Sequence, residues 1–153
     1  HAKLRAPTHP LVPVEHSPGV IFHCTAGRRP IDENDALAAW RATQATHQKG
    51  NGWSDIGYHL GIAPHGAILE GRGWDTVGAH TKDRNRCLGV VVQGKGIELT
   101  DHERLTIDWI IAEHDRRHGR GFVVGHRFFS PHKSCPGPAV LAYLGERYGD
   151  RTP

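Results

Sequence analysis

Two runs, Gly19-Val20-Ile21-Phe22-His23-Cys24-Thr25 and Cys87-Leu88-Gly89-Val90-Val91-Val92-Gln93, are apolar almost without interruption and rich in β-branched residues. A strand with one wet face alternates polar and apolar residues, whereas a strand covered on both faces does not. Both runs therefore predict buried strands, and the second suits the centre of a sheet. The stretches between and after them carry a helical period instead. From Asp32 to Lys49, the residues Leu37, Trp40 and Ala45 stand among good helix formers, and Gly50-Asn51-Gly52 supplies a stop. Thr100-Asp101-His102-Glu103 has the form of a capping box, opening a second helix with Leu105, Trp109 and Ala112 on its expected apolar face and Gly119 at its end. Val140, Leu141, Leu144 and Tyr148 give a third helix the same spacing.

Between the first helix and the central strand, residues 57–63 and 67–70 flank Pro64-His65-Gly66, which predicts a hairpin. A short strand is expected at Phe122–Val124, followed by a loop from Gly125 to Pro136. The order strand, helix, hairpin, strand, helix, strand, helix predicts an α/β domain: a single mixed β-sheet flanked by about three helices. With 153 residues the chain has room for one core, so a single domain spanning 1–153, and a monomer, are expected. Residues 1–19 hold four of the ten prolines, Pro7, Pro10, Pro13 and Pro18, and read as an extended arm that wraps the body.

Charge and cysteine usage narrow the function classes. The net charge of +3 is spread over scattered Lys and Arg, and the densest basic patch, Arg116 to Arg120, falls where a helix C-terminus favours cations, so no nucleic-acid role is expected. No apolar run approaches the roughly 18 residues of a membrane span, so no membrane insertion is expected. Three cysteines without a CxxC spacing argue against a disulfide framework. Cys24 and Cys87 lie in strand runs, and alternation points Cys24 to the face opposite His23, so both read as core thiols.

Thirteen histidines are present, and two of them, His23 and His126, end predicted strands and are followed by loops. Cys135 follows nine residues after the second. Two imidazoles and a thiolate suit zinc, and three protein ligands leave the fourth tetrahedral position open, as catalytic sites require. Spacing alone equally admits packed or surface histidines and an inert buried thiol.

Four segments, in order over nearly the whole chain, resemble the N-acetylmuramoyl-L-alanine amidases of the phage endolysin and peptidoglycan-recognition-protein family. They are Phe22-His23-Cys24-Thr25-Ala26; Trp53-Ser54-Asp55-Ile56-Gly57-Tyr58-His59; Gly71-Arg72-Gly73-Trp74 with Val77-Gly78-Ala79-His80; and Gly125-His126 with Lys133-Ser134-Cys135-Pro136-Gly137. The resemblance implies a peptidoglycan-recognition-protein or type-2 amidase fold and one zinc ion per chain on His23, His126 and Cys135. It implies a catalytic role for Tyr58 and Lys133, and it places His80 and Trp74 along a peptidoglycan-binding groove. The implied reaction is hydrolysis of the amide between N-acetylmuramic acid and L-alanine at the bacterial cell wall.

Many members of that family carry His-His at the first motif, where this chain has His23-Cys24. Members that bind peptidoglycan without cutting it typically lack the ligand Cys, which makes a non-catalytic recognition module the alternative reading. A purely structural zinc site would need a fourth ligand, for which His132 is the best candidate. The cysteine pattern lacks the disulfides usual in extracellular animal domains, so a phage or bacterial origin is expected, with this chain excised from a larger endolysin and delivered from the host cytoplasm.

Overall fold

The two apolar runs lie side by side in the middle of a five-stranded sheet. The computed structural model describes residues 4–95 and 98–153. In it β1 (Gly19–Cys24) lies between β4 (Leu88–Val92) and β5 (Phe122–Gly125) and runs parallel to both. β2 (Leu60–Ile62) adds parallel to β4, and β3 (Ile68–Glu70) closes the edge antiparallel to β2, giving the order β3-β2-β4-β1-β5. With α1 (Glu33–Ala45), α2 (Asp101–His118) and α3 (Pro138–Tyr148), this is the mixed sheet and three-helix architecture expected from the sequence. Parallel strands need covered faces, and every residue of β1 and β4 is buried except Cys24 at the end of β1.

Alternation along the strands divides the core into layers. Val20 and Phe22 of β1 join Leu88, Val90 and Val92 of β4 in a cluster with Ile107, Ile110 and Ile111 of α2 and Val140 and Leu144 of α3. The opposite face carries Ile21, His23 and Val91, and there Val91 meets Ala36 and Trp40 of α1. α1 starts where the Asp32 carboxylate accepts the Asp35 amide at 2.8 Å, and it ends in one wider turn over Thr46–Gly50.

The capping box of α2 is present, but its apolar face is not the expected one. Leu105 and Trp109 are 67% and 54% exposed, and Ala112 is exposed too, while the buried stripe is Glu103, Ile107, Ile110, Ile111 and His114. Both stripes have helical spacing. The one that wins carries three isoleucines, and its two polar members find partners inside: Arg29 donates to Glu103 at 2.6 Å, and His114 Nε2 lies 2.9 Å from Ser17 Oγ.

Residues 4–18 form no helix and lie along the body. Arg5 exchanges two hydrogen bonds with the buried Gln44 side chain, Thr8 N–H donates to the Ser54 carbonyl, and Val14 and Val77 tie the arm to the 75–77 segment. Among the described residues no helix is long and apolar enough to cross a membrane.

Candidate metal centre

Strand register brings the two histidines together. Phe22 stands opposite Gly125 in the β1–β5 pair, so His23 and His126, one residue on, leave adjacent parallel strands side by side. Their ring centroids are 4.6 Å apart. This is the carboxyl end of the parallel strands, where open α/β sheets place their ligands. Past Gly125 the chain makes a short 3-10 turn over His126–Phe128 and loops back, and Arg127 N–H donates to the Cys135 carbonyl at 2.9 Å. Gly125 permits this return: a Cβ there would lie 2.5 Å from Pro136 Cδ. The amide of Cys24 donates to Cys135 Sγ at 3.2 Å. One donor atom from each of His23, His126 and Cys135 thus falls within 4.8 Å of the others.

The donors fit zinc. Tetrahedral coordination with the usual Zn–N and Zn–S lengths sets ligand atoms roughly 3.4–3.6 Å apart, so small side-chain rotations would close this triangle on an ion. Burial, then the charges of His80 and His126, hold His23 well below its ordinary pKa, and burial with Lys133 lowers His126. Both rings are therefore neutral, as ligation requires. Contact with the Cys24 thiol, then burial, raises Cys135, while the same contact lowers Cys24 to about 7. A cation between the three donors must displace the Cys135 proton. Among the described residues no further His, Cys, Asp or Glu joins the group, His132 included.

Tyr58 and Lys133 border this triangle. The Tyr58 ring lies 5.3 Å from that of His23, and its segment is pinned by Gly57 N–H to His47 Nδ1 at 2.9 Å, by Arg72 N–H to the Tyr58 carbonyl at 3.0 Å and by Arg72 Nε to the Ile56 carbonyl at 2.7 Å. Burial, then the neighbouring cysteines, push the Tyr58 hydroxyl up to about 12, so it keeps its proton at neutral pH. Lys133 is exposed in the returning loop, with its amide on the Ser130 carbonyl at 2.9 Å, and its charge acts on His23, His126 and Cys135 alike.

His80 and Trp74, expected together in a groove, are separated. His80 comes to the centre but lies against His23, with its Nδ1 3.0 Å from His23 Nε2. Trp74 is not brought there: it packs against the α2 and α3 core cluster, edge-on to Trp109 and under Arg117, whereas His23 leaves the opposite face of the sheet. His59 is a satisfied core histidine, with Nε2 2.6 Å from the Thr76 carbonyl and Nδ1 accepting from Gly89 N–H. Arg72, His47 and Asn85, whose side chain accepts the amides of His80 and Thr81, shape the centre without having been singled out from the sequence. Of these only Arg72 stood in a quoted motif.

No protein-family model matches the chain. Among curated proteins it is 42% identical over 76 residues to a pig N-acetylmuramoyl-L-alanine amidase, a match covering 48% of this chain and 13% of that protein. It is 40% identical over 65 residues to peptidoglycan-recognition protein SC1a/b of Drosophila simulans, covering 42% of this chain and 35% of the relative. The chain thus matches well under half the length of these relatives. Among solved structures, wild-type Drosophila PGRP-LB superposes with a TM-score of 0.87 at 27% identity, over 97% of this chain and 90% of that one. A point mutant of the same protein, in complex with tracheal cytotoxin, superposes at 0.89 with 25% identity, over 99% and 93%. The chain has the fold of the peptidoglycan-recognition proteins, and the relatives it matches are peptidoglycan-recognition proteins and N-acetylmuramoyl-L-alanine amidases.

Proposed function

We propose that the chain is a zinc-dependent N-acetylmuramoyl-L-alanine amidase that hydrolyses the amide joining the lactyl carboxyl of N-acetylmuramic acid to L-alanine in peptidoglycan. The observation that carries this reading is the group His23, His126 and Cys135, with no fourth protein ligand among the described residues and with Tyr58 and Lys133 beside it. Neighbours solved with tracheal cytotoxin support a peptidoglycan fragment as the ligand.

Bound zinc supplies a water of lowered pKa and a Lewis acid for the carbonyl. The chain's own residues do the rest. Lys133 offers a cation to the oxyanion that develops as the amide carbon becomes tetrahedral. Tyr58, protonated at neutral pH, orients the attacking water by hydrogen bonding. His23, neutral and buried, holds its lone pair at fixed depth, while Cys135 and His126 are locked to one another through the Arg127 amide. The alternative, a module that binds peptidoglycan without cutting it, has no use for a third ligand, and Cys135 is present. The bacterial wall is the site of action that follows, and delivery there by a phage or bacterial protein belongs to this proposal.

The test is hydrolysis of purified cell walls by zinc-loaded, chelated and zinc-restored protein, with released groups identified. New alanine amino termini without new reducing ends, lost on chelation and regained with zinc, are expected. Full activity in verified metal-free protein overturns the metal reading, and new reducing ends overturn the amide reading. Wall binding without cleavage would favour the recognition module.

A further inference from the structure

From His23 a chain of hydrogen bonds runs into the fold. His80 Nε2 lies 3.0 Å from the Cys87 carbonyl oxygen. A carbonyl can only accept, so His80 carries its proton on Nε2, and Nδ1 of the neutral ring is a bare acceptor. That Nδ1 lies 3.0 Å from His23 Nε2. Two bare nitrogens at that distance would repel, so His23 Nε2 holds the proton and donates it. Thr81 Oγ1, 3.0 Å from His80 Nδ1 and 3.4 Å from His23 Nε2, caps the same junction and leaves the pattern unchanged.

Only one nitrogen of His23 is then left to ligate. We propose that His80 is a positioning residue, fixing His23 as its Nε2–H tautomer so that Nδ1 is the atom presented to the metal. A ligating histidine is usually oriented by an acceptor on its other nitrogen, commonly a carboxylate or a backbone carbonyl. Here a second imidazole fills that role, itself oriented by the Cys87 carbonyl.

The fold makes room for it. Gly89 stands opposite Ile21 in the β1–β4 register, and a Cβ there would lie 2.4 Å from His80 Cδ2, so the ring occupies the place of a missing side chain on the face that bears His23. The two amides held by Asn85, those of His80 and Thr81, set the loop from which the ring enters.

This inference rests on the metal reading for its consequence, yet its proton pattern can be tested without metal. Long-range nitrogen–proton correlation spectra of the metal-free protein should show both His23 and His80 as Nε2–H tautomers. With cadmium as the probe ion, scalar coupling should reach His23 Nδ1. A His23 with its proton on Nδ1, or coupling to Nε2, overturns the assignment. Failure to bind zinc or cadmium at all sinks the metal reading instead.

Zinc affinity, read by competition with a chromogenic chelator, supplies the second arm. His80→Leu should weaken zinc by about 10- to 100-fold, as loss of such an orienting partner typically does. His80→Asn, which can return an acceptor to the place of Nδ1, should recover most of that loss. Equal losses in the two variants, with both folded by circular dichroism, would reduce His80 to a packing residue and overturn the proposal. Should His80→Leu fail to fold, the tautomer spectra of the unaltered protein decide alone.

Discussion

The backbone amide of Cys24 donates to the sulfur of Cys135 across 3.2 Å, so the last residue of β1 supports the candidate ligand through its main chain. The Cys24 side chain is half-buried beside Pro136 and Val140 and does not sit in the core, contrary to the sequence expectation. Cys24→Ala keeps the donating amide and removes only the thiol that raises Cys135. It should therefore retain one zinc per chain, with affinity at neutral pH no weaker than that of the unaltered protein. Loss of zinc in this variant would put the Cys24 thiol among the ligands.

Metal binding and turnover should separate within three residues. An ammonium cannot ligate zinc, so Lys133→Ala should keep the ion and the fold while turnover falls about 10²- to 10³-fold, the usual cost of one lost oxyanion donor. Tyr58→Phe should follow it, retaining metal and losing rate. Cys135→Ala deletes a donor from the group of three, and zinc content and hydrolysis should fall together. Zinc stoichiometry measured beside cell-wall hydrolysis checks all three, and a Lys133→Ala enzyme of near-normal turnover would remove that lysine from the mechanism.

Gly125→Ala tests the close return of the 126–136 loop. Its Cβ would lie 2.5 Å from Pro136 Cδ and 2.7 Å from Leu141 Cδ2, so the loop must shift away from the strand end. Overpacking of this kind costs about 1–3 kcal/mol. A lowered denaturation midpoint should come with weakened zinc binding, because Cys135 precedes the displaced proline. Unchanged zinc affinity would show that the loop can move without carrying its ligand.

Acid should destabilise the fold over a defined range. Burial holds His59 at about 4, and burial, then the charge of His118, holds His114 at about 4, both below an ordinary value of 6.5. The unfolded chain takes up these protons as pH falls through 6.5, while the folded chain resists until pH nears 4. Stability is thus full above pH 6.5 and declines from there towards pH 4. Chemical denaturation at pH 7.5, 6 and 5 should show a falling midpoint, and His114→Gln should flatten part of the slope. A flat profile would mean that these rings are protonated in the fold.

Much of the fold could be read from pattern because its central strands are covered on both faces and so carry unbroken apolar runs. The α2 face could not. Leu105 and Trp109 outscore Glu103 and His114 as apolar residues, but Glu103 and His114 share their stripe with Ile107, Ile110 and Ile111, and the tertiary partners Arg29 and Ser17 satisfy the polar pair inside. At the centre, His23, His126 and Cys135 were legible from residue chemistry and resemblance. The position of His80 was not, since it depends on the Gly89 gap two strands into the sheet and on a carbonyl that has no residue-type signal. Nor did the motif show that its two members part, His80 lying against His23 while Trp74 packs beside Trp109 of α2.

If the centre holds a metal as proposed, the pairing of Phe22 with Gly125 also makes that metal a proofreader of assembly. These strands lie a hundred residues apart in sequence, and successive side chains on a strand face opposite ways, so slipping β5 by one position would turn His126 away from His23. A misregistered chain could bury nearly the same valines yet would offer an ion only part of its cage. Metal occupancy would then discriminate between alignments that hydrophobic burial alone would leave close in energy, rewarding the single register in which both imidazoles emerge on one side.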